Sequence, residues 1–160
     1  MMPKGRRPGP ERPPSAVKPQ GLLPLLDRDT VLLVRQYRYV AGRPTWEMPT
    51  GGVHPGETLE QAAQRELAEE TGHRARRLRH LSTYHTSKSV VDETAHLFIA
   101  EGLRKAETTP DDTEFIDVRP FSLDAALRMV LRGEIVDGMT VIAVLLAARR
   151  REARHGHARR

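Results

Sequence analysis

Apolar and polar residues alternate along the chain in blocks that predict a series of strands. Residues 30–37, TVLLVRQY, are rich in β-branched and apolar residues and indicate a buried strand. Similar runs predict strands at 45–48, 94–100 and 114–118, and one or two strands over 76–86. The sequence contains no internal repeat. The length of 160 residues suits one domain with a substantial core.

A helix is predicted between Thr58 and Gly72. The Thr58 hydroxyl can cap its first turn, and Gln61 three residues later can reach back to the cap. Gly72 tolerates the left-handed backbone conformation that ends a helix. Apolar residues between these two ends recur at helical spacing and predict a stripe facing the core, formed by Leu59, Ala62, Ala63 and Leu67.

Two further helices follow the last predicted strand. Ser122 can cap one that runs to about residue 131 and closes at Gly133. Asp137 opens the other, whose apolar run over 141–148 must be largely buried. Strands interspersed with three helices predict an α/β fold in which a mixed sheet lies between helical layers.

Three carboxylates on the first predicted helix indicate metal chemistry. Glu66, Glu69 and Glu70 fall at i, i+3 and i+4 and can reach one patch. Like charges at i, i+4 cost a helix roughly 0.2–0.5 kcal/mol per pair, and a divalent cation between them would remove that repulsion. Hard cations such as Mg²⁺ bind carboxylates, waters and phosphate oxygens. The pattern favours a metal platform for phosphate chemistry, whereas the glutamates alone would favour an acidic solvated surface.

The complete spacing narrows this interpretation. The pattern G-x5-E-x7-R-E-U-x-E-E-x-G-U, in which U is a bulky aliphatic residue, matches residues 51–73 at every position except the last, His73. This stretch resembles the Nudix box of the Nudix hydrolase family. The matched positions are Gly51, Glu57, Arg65, Glu66, Leu67, Glu69, Glu70 and Gly72. The resemblance covers roughly residues 20–150 and implies the Nudix α/β/α sandwich with a mixed sheet.

The resemblance also implies a reaction and a cofactor. Nudix enzymes cleave a nucleoside diphosphate linked to another moiety by attack of water on phosphorus. Mg²⁺ is the implied cofactor, with Mn²⁺ as an alternative. The implied metal ligands are Glu66 and Glu70, with Glu69, Glu57 and the Thr50 carbonyl as further ligands.

Other box positions have implied roles around the metal. Arg65 matches an arginine that orients the box carboxylates, and Glu69 is an alternative general base. The loop through Thr50, Gly51 and Gly52 is rich in glycine, which lets the backbone come close to a metal or an anionic substrate.

Residues outside the box indicate a substrate class. The segments 35–38 (RQYR), 46–49 (WEMP) and 92–93 (DE) resemble the ADP-ribose and ADP-sugar pyrophosphatase branch. The resemblance implies that Glu93 is the general base and that Arg38 and Glu47 belong to the substrate site. Two of these have a plainer alternative, since Arg38 can be a surface arginine and the 92–93 pair an ordinary turn.

Two departures leave the substrate open. The branch carries a proline-glycine pair where this chain has residues 86–89 (TSKS), and an N-terminal strand module where only a short proline-rich segment precedes the first predicted strand. One alternative is hydrolysis of nucleoside triphosphates, with the base among the box glutamates. Another is a non-catalytic nucleotide sensor that contacts nucleic acid through basic ends, which the full set of box carboxylates disfavours.

The net charge of +5 is concentrated at the two ends of the chain. Residues 1–20 carry five basic and one acidic residue, and residues 149–160 carry six arginines and one glutamate, so residues 21–148 have a net charge of −4. Together with six prolines in the first twenty residues, this predicts a disordered tail at 1–20, a folded domain at 21–150 and a basic tail at 151–160.

Composition limits the environment of the protein. The chain has no cysteine, which excludes disulfides and thiolate zinc sites. No apolar run reaches the ~20 residues that a membrane helix needs, and the first residues lack the apolar segment of a signal peptide. We expect a cytoplasmic protein whose partner is a small nucleotide, with a homodimer possible and neither membrane nor nucleic acid as a partner.

Overall fold

The structure is a computed structural model, and it describes residues 19–87, 89–106 and 117–157. Within these residues the strands and helices form an α/β fold. The strands are β1 (Gln20–Pro24), β2 (Thr30–Arg38), β3 (Arg43–Glu47), β4 (Thr50–Gly51), β5 (His73–His85), β6 (Thr94–Lys105) and β7 (Asp117–Ser122). The helices are α1 (Leu59–Thr71), α2 (Leu123–Leu131) and α3 (Gly138–His157).

The strands form two sheets. The four-stranded sheet has the order β4-β1-β6-β5 and is mixed, because β1 and β6 are parallel whereas the other pairs are antiparallel. The second sheet has the order β3-β2-β7 and is antiparallel throughout. Helix α1 packs against β1, β4 and β5, and α2 and α3 pack against each other and against the remaining core. The predicted arrangement of a mixed sheet between helical layers is therefore confirmed.

Strand β1 lies at the centre of this arrangement and contacts both cores. Leu22 packs with Ala63 and Leu67 of α1. Leu23 faces the other way, into the larger cluster that α2 and α3 cover. Because side chains alternate across a strand, Gln20 shares the α1 face with Leu22.

The predicted ends of the helices are confirmed. Thr58 caps α1 in a complete capping box with Gln61, and Gly72 ends the helix at a φ of 67°. Ser122 caps α2 by accepting a hydrogen bond from the Ala125 backbone at 3.1 Å. Asp137 caps α3, because its carboxylate accepts from the Thr140 backbone at 2.8 Å. These interactions are local, and the sequence pattern was sufficient to predict them.

The strand predictions were less accurate. The expectation that the first strand begins at residue 30 was wrong, because β1 precedes it and all five of its residues are buried. Its sequence QGLLP contains glycine and proline, which are depleted in strands. The segment expected to form one or two strands over 76–86 is the single strand β5, with a bulge between His80 and Ser82.

The chain ends and one predicted strand lie partly outside the described residues. Residues 1–18 of the predicted N-terminal tail are outside them, and Gln20 is the first residue of β1. Of the strand expected at 114–118, residues 114–116 are outside them, and β7 extends from Asp117 to Ser122. Of the predicted C-terminal tail, residues 151–157 continue α3, and residues 158–160 are outside the described residues.

Candidate active site

Arg65 lies at the centre of the box and binds three of its carboxylates. It donates to Glu57 through Nε at 2.9 Å and Nη2 at 3.1 Å, a two-pronged pair. Its Nη1 donates to Glu66 at 2.7 Å and to Glu69 at 3.1 Å. Nη2 also donates to the Gly52 carbonyl at 2.9 Å, which ties α1 to the glycine loop. Arg65 thus contacts the protein rather than open solvent, as expected of a residue that orients carboxylates.

Glu57 is the most strongly stabilised anion of the group. The Arg65 hydrogen bonds, together with one from the His54 backbone at 2.9 Å, lower the pKa of Glu57 to about 2. Glu57 is therefore ionised at any physiological pH. It holds the loop before α1 against the arginine.

Gly51 makes room for the Glu66 carboxylate. A Cβ built on Gly51 would overlap the carboxylate carbon and both oxygens of Glu66. Only glycine allows the carboxylate to lie directly against the backbone of β4. Burial raises the pKa of Glu66, against the opposing effect of Arg65. The glycine at this box position has a steric function in holding Glu66.

Among the box carboxylates, Glu70 has the most strongly raised pKa. Burial, and then the charge of Glu66, raise its pKa to about 8, although a hydrogen bond from the Thr50 backbone acts in the opposite direction. The site therefore places two half-buried carboxylates close together, and among the described residues no arginine binds the second one. A cation between them would relieve this repulsion.

The donor set is suited to a hard cation. Carboxylates of Glu66 and Glu70 lie beside the backbone of Thr50 and Gly51, and Mg²⁺ is usually held by one or two carboxylates plus waters and substrate phosphates. Across the described residues, no three side chains of His, Asp or Glu are already grouped as metal ligands. Glu57 and Glu69 instead face Arg65. The residues fit a cation held mainly by Glu66 and Glu70.

A second pair borders the box on the side of β2 and β3. Arg38, the last residue of β2, donates through Nε to Glu47, the last residue of β3, at 2.8 Å. The Glu47 side chain is 4% exposed and that of Arg38 is 43% exposed. Burial raises the pKa of Glu47, and the Arg38 hydrogen bond opposes this effect. Glu70 acts electrostatically on both Arg38 and Glu47, which places the pair beside the box.

The start of α3 and the β5–β6 connection contribute further polar side chains near this pair. Glu93 accepts a hydrogen bond from the Thr86 hydroxyl at 2.7 Å and is exposed. Burial, and then the charges of Asp137 and Glu93, raise the pKa of Tyr84, so these three side chains are neighbours. Asp137 also acts on Arg38 and Glu47. This chain of neighbours connects the box to Glu93.

Sequence reasoning did not identify all polar residues of this region. Asp137 was recognised as a helix cap, but its proximity to the Arg38 pair depends on how α3 packs. Thr140 is fully buried and accepts from the Met48 backbone at 3.0 Å, which fixes α3 to the segment that enters the box. In the sequence, the spacing of Asp137 and Thr140 indicates only a helix cap.

One cleft among the described residues lies away from the box. It has a volume of about 510 Å³ and lies between the β1–β2 turn, β5, β6 and the later part of α3. Several of its arginines are already paired, since Arg77 and Arg79 bind Glu101 and Arg151 binds Asp29 and Asp124. A second cleft, of about 740 Å³, is lined by box residues that include Glu57 and Arg65.

Known proteins resemble this chain in sequence and in fold. The sequence profile of the NUDIX domain matches residues 19–139. An ADP-ribose pyrophosphatase from Bacillus subtilis (strain 168) is 35% identical over 125 residues, which cover 77% of this chain and 68% of the relative. A methanol dehydrogenase activator from Bacillus methanolicus is 36% identical over 135 residues, which cover 83% and 71%.

A solved structure agrees with this likeness at the level of the fold. The crystal structure of an ADP compounds hydrolase superposes with a TM-score of 0.79, covering 88% of this chain and 76% of that chain at 22% identity. The described part of the chain contains no helix long and apolar enough to cross a membrane. On the profile match and the sequence identities, the chain belongs to the Nudix hydrolase family.

Proposed function

We propose that this Nudix hydrolase cleaves the diphosphate linkage of a nucleoside diphosphate sugar, with ADP-ribose as the leading candidate. The products would be a nucleoside monophosphate and a sugar phosphate. The observation that carries the proposal is the position of the Arg38–Glu47 pair, which lies within electrostatic reach of Glu70. A similarity in sequence to an ADP-ribose pyrophosphatase supports the same substrate class.

The box residues would hold the cation and keep its ligands in place. Glu66 and Glu70 are the proposed principal ligands, with the Thr50 carbonyl beside them, and Glu69 and Glu57 as further ligands or supports. When bound, a divalent cation neutralises the charge of the diphosphate and makes water a stronger nucleophile. Arg65 holds Glu66 close to Gly51, so that the carboxylate does not have to be ordered when the substrate binds.

Arg38 is proposed to bind the diphosphate. It donates to Glu47 through Nε, and its two terminal nitrogens have no hydrogen-bond partner among the described residues. Arginine binds phosphate well through two parallel hydrogen bonds. Glu47 keeps the guanidinium in place. Gly51 and Gly52 allow the substrate to approach the backbone of the loop.

Glu93 is proposed as the general base. Its Oε2 accepts the hydrogen bond from Thr86, and its Oε1 accepts none from the described residues, so this second oxygen can take a proton from water. Its proximity to Tyr84, which is also a neighbour of Asp137, supports a position near the substrate site. Glu69 is the alternative base.

A substrate panel with and without chelator tests the proposal. Purified protein is incubated with ADP-ribose, other nucleoside diphosphate sugars, dinucleoside polyphosphates and nucleoside triphosphates, and products are identified by chromatography. We expect AMP from ADP-ribose, abolished by chelator and restored by Mg²⁺ or Mn²⁺. Activity confined to triphosphates would contradict the substrate, and activity unaffected by chelator would contradict the metal.

The assignment of the base has its own test. Glu93→Gln should reduce kcat on ADP-ribose by 10²-fold or more, since a positioned general base contributes roughly 10²–10⁴-fold. Glu60→Gln, a charge-matched change on the exposed first turn of α1 outside the box pattern, is the control. Full turnover by Glu93→Gln would place the base among the box glutamates, as expected for triphosphate hydrolysis.

Some expectations remain predictions. Mg²⁺ rather than Mn²⁺ as the physiological metal, a cytoplasmic location and a homodimer belong to this group. The roles of the two basic ends do so as well. Analytical ultracentrifugation and metal titration address the assembly and the metal directly.

A further inference from the structure

Gln20 is a buried polar residue in an unusual position. It is the first residue of β1 and is 0% exposed. Among the described residues, its Nε2 and Oε1 are the buried side-chain atoms that lack a hydrogen-bond partner. A buried unpaired amide is unfavourable, and such groups in native proteins often have a function.

The register of the sheet shows what Gln20 faces. Gln20 pairs with Gly51 of β4 and with His96 of β6. Directly paired residues place their side chains on the same face of a sheet, with Cβ atoms about 4.5–5.5 Å apart. Gly51 has no side chain, and the Glu66 carboxylate occupies the space that its Cβ would fill. The Glu66 carboxylate therefore occupies the place that a side chain at position 51 would take opposite Gln20.

The two side chains have complementary hydrogen-bonding capacity. Arg65 donates to Oε1 of Glu66, and within the described part of the chain no donor lies on Oε2. Gln20 has an amide N–H₂ group with no acceptor. A donor and an acceptor that lack partners among the described residues thus lie on the same face of the sheet, beneath α1.

We propose that Gln20 is a positioning residue for the metal site. Its amide hydrogen-bonds the Glu66 carboxylate, directly or through one buried water, when a cation draws on that carboxylate. Arg65 and Gln20 then hold Glu66 from two sides, and the Gln20 amide gains the partner that it lacks among the described residues. This inference rests on the proposed metal site but not on the identity of the substrate.

Mn²⁺ affinity measured without substrate tests the inference. Free Mn²⁺ is followed by electron paramagnetic resonance for the full-length parent, Gln20→Met and a control, Leu22→Met. Leu22 lies on the same face of β1 against α1, so its variant changes packing without changing a polar group. We expect Gln20→Met to weaken Mn²⁺ binding by about tenfold, because groups that orient metal ligands typically contribute 10–100-fold. The control should bind like the parent.

Thermal melting of the metal-free proteins separates positioning from packing. Gln20→Met should melt at or above the temperature of the parent, because an unpaired buried amide is replaced by an apolar group of similar shape. Weaker Mn²⁺ binding together with undiminished stability supports the inference. Parent-like Mn²⁺ affinity in a folded Gln20→Met protein overturns it.

A second variant covers the case in which Gln20→Met does not fold. Gln20→Asn keeps the amide and shortens its reach by one methylene, so it should also weaken Mn²⁺ binding, and parent-like affinity there would overturn the inference. Absence of Mn²⁺ binding in the parent would overturn the proposed metal site and this inference together. Loss of activity on ADP-ribose with intact Mn²⁺ binding would affect the proposed substrate alone.

Discussion

At the scale of single residues, Gly51 and Gly52 differ sharply although they are adjacent. A methyl group on Gly51 would overlap Glu66, whereas one on Gly52 meets nothing within 4 Å. Neither glycine has a positive φ, so neither is required for backbone conformation. Glycine is needed at position 51 because the Glu66 carboxylate occupies the space of a Cβ atom there.

Substitution of the two glycines should therefore give different results. Gly51→Ala displaces the Glu66 carboxylate and should weaken Mn²⁺ binding at least tenfold, within the about 10–100-fold range for disturbed metal sites. Because the displaced group is the end of a flexible side chain, the melting temperature should change little. Gly52→Ala is the matched control and should bind Mn²⁺ normally. Equal Mn²⁺ affinities in the two variants would contradict the steric role of Gly51.

The raised pKa of Glu70 predicts that this proposed metal ligand lowers the free energy of unfolding as the pH rises. Its pKa of about 8 lies above the ordinary carboxyl value of 4.5. Between these pH values the folded state holds a proton that the unfolded state releases, so the stabilising contribution is complete below pH 4.5 and is lost as pH rises towards 8. Glu57, with a pKa of about 2, stays ionised throughout this window and does not contribute to the change.

Glu70→Gln should make the protein more stable than the parent near pH 8 and should prevent metal binding. Without metal, the parent should lose a few kcal/mol relative to the variant between pH 5 and pH 8, since each pKa unit corresponds to about 1.36 kcal/mol. Urea denaturation at several pH values measures this difference. The same variant should lose Mn²⁺ binding and hydrolysis, because an amide cannot replace an anionic ligand. A parallel pH dependence in parent and variant would show that Glu70 is not the titrating group.

At the scale of elements, the β2–β3 hairpin depends on a charge pair between the last residue of β2 and the last residue of β3. Glu47 is almost fully buried, and Arg38 reaches it from the exposed side. A buried carboxylate that loses its partner is destabilising because its desolvation is no longer compensated. The pair is therefore structural as well as part of the proposed substrate site.

Arg38→Ala should destabilise the protein by about 1–3 kcal/mol, a range reduced for the partial exposure of the arginine. Arg35→Ala, which removes an exposed arginine of the same strand that stacks over Trp46 at 5.8 Å, should have a smaller effect. Glu47→Gln in the Arg38→Ala background should recover part of the loss, since it removes the buried charge. Urea denaturation of this double-mutant cycle measures the coupling, and simple additivity would contradict it.

At the scale of the whole molecule, α3 and the box are connected through Thr140. Its hydroxyl donates to Asp137 at 2.6 Å and accepts from the Met48 backbone at 3.0 Å. Met48 is fully buried, so its N–H has no access to solvent. One hydroxyl thus joins the start of the last helix to the segment that precedes Thr50.

Thr140→Val should show this connection in both stability and activity. The change preserves shape but leaves a buried N–H unpaired, which costs about 1–3 kcal/mol. Thr71→Val is the matched control, because the buried Thr71 hydroxyl donates only within α1, to Leu67 at 2.6 Å. We expect the control to lose less than about 1 kcal/mol. Equal losses in the two variants would show that the Met48 bond is not important.

The sequence by itself determined the features that depend on near neighbours. The limits of α1, its capping box and the glutamates on one helix face follow from spacings of three or four residues, where propensity and capping act. The box spacing was also sufficient to predict the family and the α/β class. The division by charge into a folded middle and two basic ends stays a prediction.

Only the tertiary structure decided which distant residues meet at the site. Strand β1 escaped prediction because its glycine and proline obscure the pattern, and its pairing places Gln20 beside Gly51. The proximity of Asp137 to the Arg38 pair likewise depends on how α3 packs. The register of a sheet and the packing of helices join residues that are dozens of positions apart, and no local spacing in the chain records such contacts.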